Sequence, residues 1–591
     1  MPERHCADFE CDLLVAGSGA GGLSAAVTAA HLGLDVLLVE KTAQVGGTTA
    51  WSGGWMWVPH NPLAREAGIT EDPQEPMEYL RSQIGARLDE TRARAYLEHG
   101  PRMVEFFRSC TALRFIDGNA IPDFHGGVPG AAAGGRSVCA APFDGRRLGR
   151  HLGCLNPPLA ETTLGGLGIA AGAEMRNFLN ATRAPRSMAY VVRLLMRHAW
   201  DLLRHGRSTR LVNGNALVAA LLRSALDAGV TLRTRCAVRA LQFQGQACAA
   251  PAGPRRVSGA LVQTPEGLMK VTVRCGVILA TGGFAHDVQR KRALLPHAPT
   301  GHEHWSAGWP GNTGDGLYLG ESAGGVVADD LVQAAALAPV SLVPRSDGSV
   351  AHFPHLVDRA KPGLIAVTDR GVRFGNEADA YHDLMQALLT ATPMGELPQA
   401  WLVCDARFLH RYGLGAVKPW PLPAGRWLRN GYLRRGATVA DLARACGIEA
   451  GALQDTVARY NAMAREGHDL EFAKGQTLYN RVQGDAGAGY ANPCMAPLEH
   501  APFYAVRVVM GSLGTFAGLR CDASARVIDA HSLPIPGLWA VGNDQSSLME
   551  GRYPSGGITL GPAMTFGYLA AHSAAGLFAH ENRQLNNRLR P

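Results

Sequence analysis

The chain has 591 residues, 47% of them apolar, with a formal charge of +7. That length buries a large core and predicts two or more domains, while so mild a charge, without a lysine-rich or aromatic-interleaved basic tract, argues against nucleic acid as a partner. No run of about 18 apolar residues is free of charges and glycine clusters, so neither a membrane span nor a signal peptide is predicted, and a cytoplasmic location is the expectation. The 12 cysteines include no C-x-x-C pair, so neither a metal site nor a disulfide framework is expected.

A short apolar strand, Leu13 to Ala16, runs into Gly17-Ser18-Gly19-Ala20-Gly21-Gly22 and then into a helix. This is a dinucleotide-binding turn: Gly17 permits the tight turn, Gly19 lets a pyrophosphate approach the backbone, and Gly22 allows close packing of helix on strand. A second strand, Val36 to Val39, ends in Glu40, whose carboxylate can accept from ribose hydroxyls and repels a 2′-phosphate. Residues 186–207 place Val191, Leu194, Leu195, Trp200, Leu202 and Leu203 among Arg193, Arg197, Arg204 and Arg207, which predicts a basic amphipathic helix. Such a helix either packs on a domain, covers a site mouth or rests on a membrane surface, and packing is the ordinary outcome.

Further along, Asn213 to Leu222 reads as a helix and Val230 to Val238 as one strand. A buried strand, Gly276 to Ala280, then leads into Thr281-Gly282-Gly283, and Ile535 to Asn543 repeats the strand-to-glycine pattern. Between these, residues 296–505 mix strands and helices with many Pro, Trp and His. The expected fold class is therefore α/β: a doubly wound, Rossmann-like nucleotide domain over 7–295 and 506–581, with a helical insertion at about 150–207 and an inserted α+β cap domain at 296–505. The polar ends, Met1 to Cys6 and Asn582 to Pro591, read as disordered.

Together with Gly46-Gly47-Thr48-Thr49, Ser52-Gly53-Gly54, Gly311 to Gly316 and Gly542-Asn543, these motifs resemble the FAD-dependent fumarate reductase and 3-ketosteroid dehydrogenase superfamily over nearly the whole chain. The segments Trp51 to Asn61 and Tyr553 to Met564 are more similar to the 3-ketosteroid dehydrogenases. The resemblance implies FAD held by Gly17, Gly19, Ala20, Gly21, Gly22, Glu40, Lys41, Gly46, Gly47, Thr48, Thr49, Ser52, Gly53, Gly54, Ala237, Val238, Ala280, Thr281, Gly282, Gly542, Asn543, Thr559 and Leu560. It also implies non-covalent FAD, because covalent members use a histidine near the 46–54 loop, where this chain has Trp51 and no histidine.

Removing hydrogen from carbon beside a carbonyl needs a base for the α-proton and donors for the developing enolate. By the resemblance, Tyr381 is the base, and Tyr553 with the Gly557 N–H holds the ketone oxygen. Independently, Pro562 suits the first turn of a helix whose free N–H groups face the cofactor. The chain departs from the steroid dehydrogenases at Asp123-Phe124-His125, where they carry an assisting tyrosine; His125 is the candidate replacement donor. Ser555, in a Tyr-x-Ser arrangement, resembles relatives that desaturate on the other side of the ketone. Arg552, His302 and His304 are the residues a dicarboxylate reductase would recruit, whereas Trp51, Trp55, Trp57, Trp305 and Trp309 favour an apolar wall. The expected function is FAD-dependent desaturation of a small hydrophobic cyclic ketone, a 3-ketosteroid, in the manner of a 3-oxosteroid 1-dehydrogenase, with the electron acceptor open. The alternatives are a 3-oxosteroid 4-dehydrogenase, a fumarate or enoate reductase, and the flavin subunit of an electron-transfer assembly docked through residues 186–207.

Overall fold

The computed structural model describes residues 7–170, 172–244 and 255–588. Its first sheet is built on the strand Phe9–Ala16, whose Leu13, Leu14 and Val15 are fully buried. A strand covered on both faces is the habit of a parallel sheet, and here it pairs in parallel with Val36–Glu40 on one side and Gly267–Leu279 on the other. Thr231–Thr234 extends the parallel order past Val36–Glu40, and Pro534–Ala540 extends it past Gly267–Leu279, so the sheet closes only with a strand from near the end of the chain. An antiparallel pair, Ala237–Phe243 and Val257–Thr264, hangs on the first half of Gly267–Leu279.

The strand expected at 230–238 is two strands. Arg235 adopts φ +58°, its N–H donates to Thr42 O and that of Cys236 to Glu40 O, so the chain turns over the end of Val36–Glu40 before resuming. The polar C-terminal stretch is also corrected: the last helix, Leu560–Arg588, runs through residues expected to be disordered. Residues 1–6 and 589–591 lie outside the described residues.

A second, seven-stranded sheet carries Val350–Pro354, Ala335–Pro344, Phe503–Thr515, Gln399–Asp405 and Leu364–Thr368 in that spatial order. Its central strand, Phe503–Thr515, runs past the boundary expected at 505, because its buried residues pair with neighbours on both sides. The insertion contains helices Ala173–Leu179 and Pro185–His205. The longer one does not bury a simple apolar stripe. Its inner face is Ser187, Val191, Leu194, His198 and Asp201, because His198 bonds to Gly165 O and Asp201 accepts from Thr209, whereas Trp200 and Leu203 are 63% and 85% exposed. Among the described residues no helix is long and apolar enough to cross a membrane.

A buried charge network fixes the segment ahead of helix Tyr381–Ala391. Arg373 pairs with Glu377 at 2.9 Å and with Asp469 at 2.8 Å, and Lys474 reaches Glu377 at 3.2 Å. Burial works to raise the Glu377 carboxyl, but the two cations outweigh it and hold it at about 2. With its folded pKa depressed, this group's contribution to stability is present above the ordinary carboxyl range and is lost as pH falls from about 4.5 towards 2. Glu377→Ala leaves Lys474 without a carboxylate in the core and Arg373 with Asp469 and Glu471 alone, and is expected to cost about 3–5 kcal/mol by denaturant unfolding at neutral pH, a difference that shrinks as the pH falls through that window.

Candidate active site

One elongated cavity of about 2290 Å³ runs from the first glycine turn to the insertion and the second sheet. At one end the first helix, Ala20–His31, is capped by Gly19 rather than by a side chain of its own turn. Thr49 Oγ1 accepts from Ala20 N at 3.0 Å, and the first internal bond is Leu23 N to Gly19 O, which leaves the N–H of Gly21 on the cavity side for an anion. Gly17 at φ +108° brings the turn so close to Ala280 that a Cβ would collide with its carbonyl. Glu40 is aimed by its neighbours: Oε2 accepts from Ser18 Oγ at 2.6 Å, and Oε1 accepts from Thr42 N and Oγ1 at 2.9 and 3.0 Å. With Ser18 N donating to Oε2 at 3.2 Å as well, its roughly four acceptor sites are filled, so ribose hydroxyls would take the places of the Ser18 and Thr42 hydroxyls. Lys41 pairs with Asp315 at 2.8 Å across the cavity edge.

Of the residues expected around the cofactor, Gly22 and Gly46 do not line the cavity. Gly22 is pressed on Gly17 O and Gly46 on Val218, so both serve packing. Gly17, Gly19, Ala20, Gly21, Glu40, Lys41, Gly47, Thr48, Thr49, Ser52, Gly53, Gly54, Ala237, Val238, Ala280, Thr281, Gly282, Gly542, Asn543, Thr559 and Leu560 all do. Thr48 Oγ1 accepts from Trp309 N and Asn312 Nδ2, each at 2.8 Å, and so ties the turn to the region of the second sheet. Asp544, which the sequence reading passed over, is fully buried and accepts from Gly283 N at 2.9 Å and Thr281 N at 2.5 Å. It follows Gly542-Asn543 directly, and that position beside a glycine turn was the signal available.

The catalytic candidates meet further along. Tyr381, Tyr553 and Gly557 all line the cavity, and the rings of Tyr381 and Tyr553 pack edge to face with centroids 4.9 Å apart. Phe124 packs flat over Tyr553 at 5.9 Å and edge-on to Tyr381 at 5.9 Å, and it meets a further phenol, Tyr479, at 4.4 Å. Gly557, at φ +99°, lies against the Met56–Trp57 backbone where no side chain fits. Beside it begins the last helix, whose Thr559, Leu560 and Ala563 line the cavity. Burial pushes the Tyr381 phenol well above its ordinary range; the neighbouring Tyr553 adds to the rise and Arg359 opposes it. Burial also raises Tyr553, with hydrogen bonds from Tyr381 and Thr559 working against it.

Several candidates lie away from this cluster. His125 does not line the cavity: its Nε2 pairs with Asp383 Oδ2 at 2.6 Å, and although burial works to lower the imidazole, Asp383 outweighs it and holds it raised. Ser555 is buried and bonded to Asp123. His302, Trp305 and Arg552 do not line the cavity, and His304 is enclosed by His297 and Ser512. Trp51, Trp55 and Trp309 line it, whereas Trp57 is core and donates to Asp123 at 2.8 Å.

Two helix N-termini on one elongated cavity, with a ribose-side carboxylate at one end and paired phenols at the other, characterise a flavin-dinucleotide oxidoreductase. The chain belongs to the FAD binding domain family, whose model matches residues 12–560, and FAD is its cofactor. It is 37% identical over 573 residues to a 4-oxocyclohex-2-ene-1-carboxylate 5-dehydrogenase of Sinomonas cyclohexanicum, covering 97% of this chain and 95% of that one. It is 34% identical to a 3-oxosteroid 1-dehydrogenase of Mycolicibacterium smegmatis, over 95% and 96% of the two chains. The crystal structure of 3-ketosteroid delta1-dehydrogenase from Sterolibacterium denitrificans, in complex with 1,4-androstadiene-3,17-dione, superposes with a TM-score of 0.87 at 35% identity, over 96% and 99% of the two chains. The expected recognition, fold class and cofactor are borne out by these likenesses.

Asp544→Ala leaves two backbone donors at the Thr281 turn without their acceptor, at about 1–3 kcal/mol each. The purified variant is expected to carry a lower molar ratio of FAD to protein than wild type, read from the visible flavin absorbance.

Proposed function

We propose that this oxidoreductase introduces a carbon–carbon double bond beside the ketone of a hydrophobic cyclic substrate, a 3-ketosteroid, in the manner of a 3-oxosteroid 1-dehydrogenase. The observation that carries the reading is the Tyr381–Tyr553 pair, 4.9 Å between ring centroids, at the cavity wall beside Gly557. Tyr553 O–H and Gly557 N–H hold the ketone oxygen, which makes the α-proton acidic, and the Tyr381 oxygen takes that proton. FAD, when bound, supplies the hydride acceptor. It is held without a covalent bond by the glycine turns and the first and last helices, so denaturation should release it into the supernatant. The tryptophans and Phe124 keep water from the enolate, and the cavity volume suits a bulky substrate together with the cofactor.

Ser555, turned to Asp123, gives no support to desaturation on the other side of the ketone. The reductase reading needs an arginine clamp, but Arg552 does not line the cavity and Arg359 is spent on backbone carbonyls. One observation does favour a second substrate, a cyclic oxo acid. Lys361 and Lys418 line the cavity and bond to carbonyl oxygens rather than carboxylates, and burial brings Lys418 down to about 8. The Sinomonas relative, named for an oxocyclohexene carboxylate, points the same way.

Anaerobic titration of the yellow protein separates these readings. Bleaching by 4-androstene-3,17-dione is the expected result; bleaching by 4-oxocyclohexanecarboxylate alone assigns the oxo acid, and bleaching by neither overturns desaturation of a ketone. Tyr381→Phe is expected to retain FAD while losing at least about 100-fold in the rate of flavin reduction. Tyr553→Phe should lower both ketone affinity and rate, since it removes a donor to the oxygen that becomes the enolate.

A further inference from the structure

Where the cavity meets the insertion and the second sheet, its wall is electrically uneven. Lys361 and Lys418 line it, and each ammonium is bonded to backbone carbonyls alone: Lys361 Nζ donates to Gln483 O at 2.5 Å and Gly484 O at 2.8 Å, and Lys418 Nζ donates to Glu161 O at 2.6 Å. An ammonium has three protons to donate, so Lys361 keeps one and Lys418 two. The carboxylates nearby are engaged elsewhere. Asp485, the one that acts most on Lys361, pairs with Arg411 and accepts from the Tyr412 hydroxyl at 2.7 Å and Gly487 N at 3.0 Å, and the Glu161 carboxylate pairs with Arg345 at 2.7 Å. Burial lowers both lysines, Lys418 to about 8, and among the described residues neither has a bonded anion to offset that desolvation.

Two elements measure how far these lysines lie from the phenols. Helix Leu478–Gln483 carries Tyr479, packed on Phe124, near its start, and its far end supplies the carbonyls of Gln483 and Gly484 that hold Lys361. At about 1.5 Å per residue, Tyr479 and Gly484 are about 8 Å apart along it. In the strand Ala335–Pro344, Leu337 N donates to His382 Nδ1 at 3.1 Å, beside the ring of Tyr553, whereas Ser341 Oγ bonds to His355 Nε2 and to the Tyr432 hydroxyl, each at 2.8 Å. Those two partners position the segments that lead into the lysines: Asp358 bonds to His355 at 2.7 Å and accepts from Gly415 N at 3.2 Å, and the Tyr432 hydroxyl accepts from Ala416 N at 3.1 Å. Four residues of strand at about 3.3 Å each set the two levels about 13 Å apart. Opposite carbons of a six-membered ring are only about 3 Å apart, so a one-ring oxo acid with its ketone on Tyr553 leaves its carboxylate short of both lysines, whereas a fused four-ring nucleus covers about 9 Å and bridges the gap.

We propose that the cavity takes a 3-ketosteroid bearing a carboxylate at the end remote from its ketone, and that Lys361 and Lys418 form the subsite for that carboxylate. The inference rests on the reading of the cavity as a ketosteroid site and names the substrate class within it. One molecule then satisfies two observations that otherwise point to different substrates, the length of the cavity and its unpaired ammonium groups. The ketone is held at Tyr553 and Gly557 as a neutral steroid's is, and the carboxylate adds charge-assisted hydrogen bonds from donors already withdrawn from water. Leu356, Val357 and Val417, close to the lysines in sequence, also line the cavity and supply apolar surface for the ring system between the two polar ends. Arg183, from the insertion, lines it as well and its charge acts on Tyr412, so a third cation favours an anionic group on this side.

The test compares acids with their own methyl esters, which differ in charge and hardly in shape. Holoenzyme is mixed anaerobically with 3-oxo-4-androstene-17β-carboxylate, with 3-oxo-4-cholenoate and with the methyl ester of each, and Kd is read from the concentration dependence of flavin bleaching at neutral pH. At least one acid is expected to bind about tenfold or more tighter than its ester. In the double variant Lys361→Gln with Lys418→Gln that ratio falls to about one. Lys418→Gln alone, which keeps an amide donor for Glu161 O, lowers it at least about threefold, so the test stands even where the double variant does not fold. A purely structural role for the lysines weakens acid and ester together and leaves the ratio intact, which overturns the inference, as does a ratio near one for both pairs in the wild-type protein. The failure of the wider reading looks different. If none of the four steroids bleaches the flavin while 4-oxocyclohexanecarboxylate does, the ketosteroid reading falls and the subsite with it; if the esters bleach it and the acids gain nothing, only the subsite falls.

Discussion

The architecture depends on the close crossing of the first and last helices. Gly567 of Leu560–Arg588 lies against the first helix where an added Cβ would sit 2.5 Å from Gly21 O, and Ser24 Oγ donates to Met564 O at 2.7 Å. Backbones brought this near leave no room for side chains between them, which demands glycine at the contact. That contact aligns two helices from opposite ends of the chain so that both N-termini open on one cavity. Without it the glycine turn after Phe9–Ala16 would face solvent, and the Tyr553–Gly557 loop would have no fixed relation to the turn.

The second sheet contributes a different kind of order. Its share of the site, Tyr381 with Tyr479, hangs on buried polar groups rather than on apolar packing alone: Arg373, Glu377, Asp469 and Lys474 under the loop, then Asn376, Asn480 and Arg359 nearer the phenols. Such a network costs desolvation and returns geometry, because each member has few alternative partners. The two halves of the site thus have opposite electrostatic characters. Helix dipoles and amides suit the anionic cofactor, while at the phenols burial favours the neutral form and Arg359 opposes it.

The nucleotide half was the more legible in the sequence, since glycine spacing, apolar strands and Glu40 are local signals whose physics is local. What local pattern missed was decided by distant neighbours. Arg235 breaks a continuous strand because Thr42 and Glu40 offer their carbonyls there. Gly46 looks like a ligand glycine, yet it packs on Val218. In the longer insertion helix, a histidine and an aspartate took inner positions that periodicity assigns to apolar side chains, because loop partners satisfied them. Tyr381, Tyr553 and Gly557 were reachable through motif resemblance, whereas Tyr479 and Arg359 lie in segments with no distinguishing spacing. Only the folded arrangement brings them together.

The nucleotide sheet takes its strand Pro534–Ala540 from beyond the whole second sheet. On the ribosome, about 250 residues separate the emergence of Leu279 from that of Pro534, roughly 13 to 50 s at 5–20 residues per second. Throughout that interval the end of that strand, Val277 to Leu279, lacks its parallel neighbour, and the cavity lacks the wall that the last helix supplies. The cofactor therefore cannot guide early folding of the nucleotide half; it can only lock a nearly finished chain.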